Sequence, residues 1–533
     1  MASVSATPMM QQYLSIKEQH RDAILFYRMG DFYEMFFEDA RTAAPVLEIA
    51  LTSRNKNDPD PIPMCGVPVK AADSYIGRLI EKGFKVAVCE QTEDPAAAKG
   101  LVRRDVVRVV TPGMVIDNAL LEKDTNNYVL SLTHADGVAG FSCVDISTGA
   151  FRVCESADFR AVRHELLRIG PREVVIPESG PGDPALAPLI ALFPPAALTF
   201  LPDREFEPAA ARRRLIDQFQ TRSLDGFGCQ GLAPGIGAAG ALLFYVNETQ
   251  KQKAAHLTGL EVYNIDQYLL MDDVTCRNLE LVANLRDKAK RGTLIEVLDL
   301  CVTAMGSRLM RHWMLYPLLS AEAIRRRLDA VAEAREGLGA RKAAREQLKN
   351  VYDIERLASR AVMGRANPRD LLALKQTLFA LPGLMSELAA YKSPLFSFAD
   401  TLGPDDPARL SQLAGVLEAA VREDAPVSVA EGGVIKPDYH PELAELVSIS
   451  RDSKTYLARL ETTEREKTGI STLKVRYNKV FGYYIEVPRS QDRLVPAHYV
   501  RKQTLVNGER YITDELKEFE AKALGAEEQR IRL

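Results

Sequence analysis

Between Lys474 and Arg510 lie eight basic residues (Lys474, Arg476, Lys479, Arg489, Arg493, Arg501, Lys502, Arg510) and three acidic ones (Glu486, Asp492, Glu509). Leu473 to Tyr477 and Gly482 to Val487 alternate in a period of two, which predicts a β-hairpin joined near Asn478-Lys479. On such a strand Lys474 and Arg476 face one side, opposite Leu473, Val475 and Tyr477. Cations projecting from a rigid element are what contact with a phosphate backbone requires. The plainer alternative is a solvated charged face. A second group is Gly30-Asp31-Phe32-Tyr33-Glu34-Met35-Phe36-Phe37. Read as the start of a short helix capped by Asp31 and running through Ala40, it crowds three phenylalanines and a tyrosine into six positions that cannot all face one core. An exposed aromatic can wedge between base steps from a minor groove, and a carboxylate two residues on can accept a hydrogen bond from a base edge. Ordinary core aromatics with a surface glutamate are the competing reading.

Other candidates are weaker. Asp145, within a strand meander, is a conceivable Mg²⁺-binding nuclease carboxylate, but that chemistry needs a second convergent acid and the neighbouring strand ends supply none. His312 beside Trp313 sits in an apolar helix and reads as packing. G-x-S-x-G, H-E-x-x-H and dinucleotide fingerprints do not occur, nor does G-x-x-x-x-G-K-[ST], since the dipeptide Gly-Lys is missing from the sequence.

The elements that must position these groups belong to several domains, because 533 residues suggest three or four at roughly 150 each. With 46% hydrophobic and 26% charged residues the chain can bury sizeable cores. Its net charge of −4 excludes a uniformly basic nucleic-acid coat but permits a local basic surface. Seven scattered cysteines without a C-x-x-C pair argue against a disulfide framework or zinc site and for a reducing compartment. Apolar runs of membrane-spanning length and a secretory leader pattern are both missing.

The first dozen residues read as a loose polar arm. Next come a strand at Ala23 to Tyr27, a proline-rich loop at Asp58 to Pro68, a helix at Ser74 to Lys82, a strand at Phe84 to Glu90 and a basic strand at Val102 to Val110. Strands at Tyr128 to Thr133, Val138 to Asp145 and Ala150 to Cys154, a helix at Phe159 to Arg168, a strand at Glu173 to Ile176 and a helix at Ala209 to Phe219 outline a second α/β domain. From about Asp266 to Arg422 the pattern is helical, and a long charged helix follows from Pro441 to Lys467, stopped by Gly469. Helical pattern returns from Arg501 to Leu533, where the sequence stops mid-helix, which reads as a truncated end.

Several segments resemble one family in order along the chain. They include Pro8-Met9-Met10-Gln11-Gln12-Tyr13, Gly30 to Phe36, Pro63-Met64-Cys65-Gly66-Val67-Pro68 and Arg108 to Gly113. Thr275 to Leu281, Thr303 to Leu309, Thr472 to Val475, Phe481 to Ile485 and Arg501 to Leu505 continue the series. Together they are similar to the MutS family of DNA mismatch-recognition proteins. The resemblance implies a multi-domain α/β plus all-α architecture. Residues 1–115 would form an α/β mismatch-binding domain, and 122–255 an RNase H-like connector. Residues 262–435 with 501–533 would make a helical core/lever domain, and 436–500 a helical and β-hairpin clamp inserted in it.

By position, the family's Phe-x-Glu motif falls on Phe32, which would stack on a mispaired base, and Glu34, which would hydrogen-bond it. Backbone gripping falls on Lys474, Arg476 and Lys479. The implied partner is double-stranded DNA carrying mismatches or small loops, with a homodimer and MutL expected for the full-length protein. The family's ATPase domain, which binds ATP and Mg²⁺, lies beyond this sequence, so the chain as given is expected to be a cofactor-free binding module and the full-length member a weak ATPase in the bacterial cytoplasm. Two readings compete: an RNase H-like metal-dependent nuclease centred on Asp145, and a non-enzymatic helical scaffold whose aromatics are core. A relative serving recombination would generally lack the Phe-x-Glu motif.

Overall fold

A computed structural model describes residues 7–55, 61–93, 100–399, 401–478, 482–504 and 508–533. The chain divides into two compact units, Met1–Arg365 with Ala380–Thr401, and Ala366–Phe379 with Leu402–Leu533.

The first unit opens with a helix, α1 (Pro8–Gln19), where a loose arm is expected. Proline at its first position suits a helix start, and Met9, Met10, Tyr13 and Ile16 bury one stripe. Then follow β1 (Ala23–Met29), β2 (Phe32–Phe36), α2 (Phe37–Leu47), β3 (Thr52–Arg54), β4 (Ile62–Pro68), α3 (Ala72–Glu81), β5 (Lys85–Gln91) and β6 (Arg104–Val110). They form one sheet in the order β3-β4-β2-β1-β5-β6. One face of this sheet is covered by α1 through Tyr13, Tyr27 and Phe36. The other packs Phe26, Tyr33, Met35 and Val67 against α2 and α3. The expected loop before Pro68 is in its described part the strand β4.

The second sheet contains β7 (Val129–Ala135), β8 (Val138–Asp145) and β9 (Ala150–Ser156) as an antiparallel meander. After α4 (Phe159–Ile169), β10 (Glu173–Pro177) joins β7 in parallel. Past the short α5 (Ala187–Ile190), β11 (Leu198–Leu201) extends the same edge. This is the mixed α/β arrangement expected of the second domain. Two helices follow, α6 (Pro208–Phe219) and α7 (Ala233–Gln250), then a short β12 (Glu261–Val262) beside β9.

The sequence pattern misses α7 because it has no polar face: 14 of its 18 residues are buried. Its glycines let backbones touch. A Cβ at Gly240 would stand 2.3 Å from the Ala211 Cβ, and one at Gly140 on β8 would stand 2.2 Å from the Pro234 carbonyl carbon. Glu173, fully buried, accepts hydrogen bonds from Thr111 after the first sheet, from Thr199 on β11 and from Tyr245 on α7, at 2.5, 2.7 and 2.5 Å.

The helices α8 (Asp273–Asn278), α9 (Leu294–Leu298), α10 (Ala304–Leu315), α11 (Ala321–Glu336), α12 (Leu338–Leu348) and α13 (Ile354–Val362) fill out the first unit in the expected helical region. α14 (Pro368–Leu388) contributes its residues up to Phe379 to the second unit and those from Ala380 to the first, and the second unit continues with α15 (Asp406–Ala420) and α16 (Pro441–Thr468). Gly469, at φ +70°, ends α16 in the left-handed cap that glycine adopts most easily.

Beyond it stands a four-stranded antiparallel sheet: β13 (Lys474–Asn478), β14 (Gly482–Pro488), β15 (Val500–Thr504) and β16 (Gly508–Ile512), ordered β13-β14-β16-β15. The expectation of helix from Arg501 is therefore corrected. Residues 500–504 and 508–512 pair as strands, and α17 (Asp514–Arg532) begins only after the Thr513 cap. The physical reason is the sheet edge: Ile485 and Val487 of β14 need partners, and Tyr511 and Glu509 of β16 supply them.

Candidate nucleic-acid interface

The Phe32–Phe36 segment is a strand, not the helix start that aromatic crowding suggests. Gly30 and Asp31 make a two-residue turn between β1 and β2, with Gly30 at φ +58°, the positive value such hairpin turns demand at their first central position. Alternation then solves the packing problem that a helix could not. Tyr33 and Met35 enter the core of one face, Phe36 enters the core of the other, and Phe32 and Glu34 share that second face beyond the apolar cluster. Phe32 is 48% exposed.

The tip is held from beneath. Arg28 donates to the Gly30 carbonyl at 2.5 Å and pairs with Glu90 at 3.3 Å, and Tyr33 also donates to Glu90. Val69 N–H donates to the Asp31 carbonyl at 2.9 Å, tying the end of β4 to the turn.

Glu34 lies opposite Tyr27 on β1 and Gly66 on β4. A Cβ at position 66 would stand 3.3 Å from the Tyr33 carbonyl oxygen and 3.6 Å from Glu34 Cγ, so glycine there leaves the carboxylate its room. Burial pushes the Glu34 carboxyl above its ordinary range, and the Arg54 guanidinium opposes that shift. The two charges are 3.5 Å apart, Nη1 to Oε2, yet Oε2 is buried and accepts no hydrogen bond from the described residues. An exposed ring and a half-buried acceptor thus project from one rigid strand face, about 7 Å apart along the chain at two residues' rise.

On the four-stranded sheet, Lys474 and Arg476 lie exposed on β13 with no ion pair among the described residues. Register puts Lys474 opposite Glu486 and Glu486 opposite Arg510, so these share the outward face. The inward face packs Leu473, Ile485, Val487 and Tyr511 against Leu460 and Leu516 of the flanking helices. Lys479 lies outside the described residues.

Two of the eight basic residues are engaged internally. Arg501 pairs with Glu509 at 2.5 Å, and Arg510 stacks over the Tyr484 ring at 4.2 Å near Glu486. Arg489, Arg493 and Lys502 are exposed without a carboxylate partner among the described residues, and so join Lys474 and Arg476 as available cations. Sequence spacing counted them but assigned them no role.

Asp145 is fully buried and its lone pairs are occupied. It accepts from Asn126 Nδ2 at 2.8 Å, Asn127 N–H at 3.1 Å, and the Ser147 N–H and hydroxyl at 2.9 and 2.7 Å. Among the described residues no cluster of three or more acidic, histidine or cysteine side chains could hold a metal ion. His312 stacks on Tyr316 with ring centroids 4.5 Å apart. Burial, then the charges of Arg152, Arg327 and Arg168, lower it to about 4. No helix among the described residues is long and apolar enough to cross a membrane.

Comparison with known proteins agrees with this arrangement. MutS domain I matches residues 7–119, MutS domain II residues 127–258 and MutS domain III residues 274–527. A DNA mismatch repair protein MutS from Desulfosudis oleivorans is 81% identical over 533 residues, covering 100% of this chain and 60% of that protein. Proteins of the same name from Desulforapulum autotrophicum and Desulfatibacillum aliphaticivorans are each 51% identical, over 99% and 100% of this chain and 60% of their own lengths. The chain thus spans about 60% of the length of the curated relatives it matches. Three domain matches in succession, over the sheets and helices described above, place the chain in the MutS family.

Proposed function

We propose that this chain is the DNA-engaging part of a mismatch-recognition protein. Phe32 wedges beside the mispaired base from the minor groove, Glu34 accepts a hydrogen bond from that base, and the cations of the four-stranded sheet grip the backbone. The observation that carries the reading is the half-exposed Phe32 on the strand face it shares with Glu34. Unstacking a base step costs a few kcal/mol, and least where pairing is already defective. A kink is also easier to hold at such a step, so deformability forms part of the readout. Glu34 is repelled by phosphates. It therefore disfavours intact duplex and recovers that cost only where a mispaired base offers a donor.

In this reading residues 1–115 and 122–255 serve as mismatch-binding and connector regions, 262–435 with 513–533 as the core, and 436–512 as the clamp, whose sheet β15 and β16 complete. Coupling to ATP, a homodimer, MutL as partner and action on DNA in the cytoplasm are the corresponding proposals for the whole protein.

Fluorescence anisotropy of the chain on a G·T-mismatched duplex and its matched twin tests the reading. Tighter mismatch binding that Phe32→Ala abolishes supports it. A preference that survives Phe32→Ala overturns the assignment of the wedge, and one unchanged by Glu34→Gln overturns the role of the carboxylate.

A further inference from the structure

Glu34 is an awkward residue to hold ready for a base. Oε2 is buried, accepts no hydrogen bond from the described residues, and lies 3.5 Å from one guanidinium nitrogen. A carboxylate removed from water at such a position needs either a proton or a counter-charge. Among the elements packed around it, β4 contributes Gly66 and β1 contributes Tyr27, whose hydroxyl is directed to Gln12. Arg54 on β3 is the one charged group that acts on it among the described residues.

Arg54 is itself loosely placed. Its side chain is 38% exposed, its guanidinium lies 5.9 Å from the centre of the Phe36 ring, and it is the last residue of an edge strand. An arginine in that position can turn toward solvent, or toward a phosphate, without disturbing a core. An approach to 3.5 Å without hydrogen-bond alignment is a weak hold compared with the forked arginine–phosphate pair that a DNA backbone offers.

We propose that Arg54 is a positioning residue for recognition. It keeps Glu34 as a carboxylate in the free protein and exchanges that carboxylate for a DNA phosphate when the strand tip enters a duplex. The inference rests on the reading of Phe32 and Glu34 given above. The exchange makes the availability of Glu34 conditional. Until a phosphate takes Arg54, the carboxylate remains paired, and afterwards it is an uncompensated acceptor that a donor on a mispaired base can satisfy.

The test uses the whole chain, with Arg54→Gln, Arg54→Lys and Phe32→Ala, on G·T and matched duplexes between pH 5.5 and 8.5 and across a salt series. With the exchange, Arg54→Gln lowers the slope of log affinity against log salt by about 0.9, the value of one neutralised phosphate. It also gives the mismatch preference a pH dependence that the unaltered chain lacks, with several-fold loss toward pH 5.5, where Glu34, deprived of its counter-charge, takes up a proton and no longer presents a carboxylate to the base. Arg54→Lys restores both, and adding Glu34→Gln to Arg54→Gln removes the pH dependence. A merely structural Arg54 would shift the melting temperature and leave slope and pH profile alone. That outcome, with Phe32→Ala still abolishing discrimination, overturns the exchange while sparing the site. Discrimination that survives Phe32→Ala overturns the site and the exchange together.

Discussion

The Arg356 guanidinium donates at 2.9 Å to the carbonyl oxygen of Glu122, from 234 positions further along the chain. Its other terminal nitrogen donates to the Thr125 carbonyl at 2.8 Å. Arg308 adds a bond to the Lys123 carbonyl at 3.1 Å, held in place by a fork onto Asp353 at 2.7 Å on both arms. The segment between the first two sheets is thus strapped to helices α10 and α13. Arg356 is only 2% exposed, so its loss leaves two carbonyls without donors. Arg356→Ala is expected to cost about 3 kcal/mol, read from the urea midpoint. Arg356→Lys recovers only part of it, because an ammonium cannot span both carbonyls.

Asp145 behaves as a structural carboxylate. Asp145→Ala leaves the Asn127 and Ser147 amides unsatisfied and is expected to destabilise the second sheet by about 2–3 kcal/mol. Incubation of supercoiled plasmid with Mg²⁺ and either the unaltered chain or the variant is expected to give the same uncut DNA. Cleavage that disappears specifically in Asp145→Ala would restore the nuclease reading.

His312 predicts an acid-sensitive junction. Its folded value of about 4 lies below the ordinary 6.5, so the neutral ring contributes its full stability above pH 6.5 and loses it as pH falls from 6.5 toward 4. The whole effect is at most about 3 kcal/mol. Thermal melts of His312→Phe are expected to show a shallower decline across that window. The decline is not abolished, because His256 is also lowered by burial.

The clamp cations predict a salt signature. Lys474→Ala combined with Arg476→Ala is expected to weaken matched and mismatched duplexes alike, and to reduce the salt slope by about 0.9 for each phosphate no longer neutralised. An unequal effect, confined to the mismatch, would move these residues from gripping to reading.

Where one period dominated, the sequence was legible. The meander β7 to β9, the helical region that holds α10 to α13, and α16 with its Gly469 stop lie close to where spacing puts them. The misses share a cause. Phe32 to Phe36 carries aromatics on both faces of a central strand, so both faces are apolar and the period of two is hidden. Helix α7 is buried on every side and hides the period of 3.6 in the same way. The strands from Val500 to Ile512 carry Arg501, Lys502 and Arg510, which local propensity reads as helix-compatible, and only pairing with β14 makes them a sheet. Phe32 and Glu34 were legible as a pair, whereas Arg54 and Gly66 were not, because both act across strands that no linear spacing connects.

The two faces of the clamp sheet answer to different demands. Its inward side is fixed by a core drawn from within Tyr456 to Phe519, while the side chains of Lys474 and Arg476 stand exposed outside that core. Exchanges at Lys474 and Arg476 therefore leave the fold alone. If these cations grip DNA as proposed, the strength of that hold is adjustable over evolutionary time in single-charge steps, while the scaffold that presents those charges is inherited unchanged.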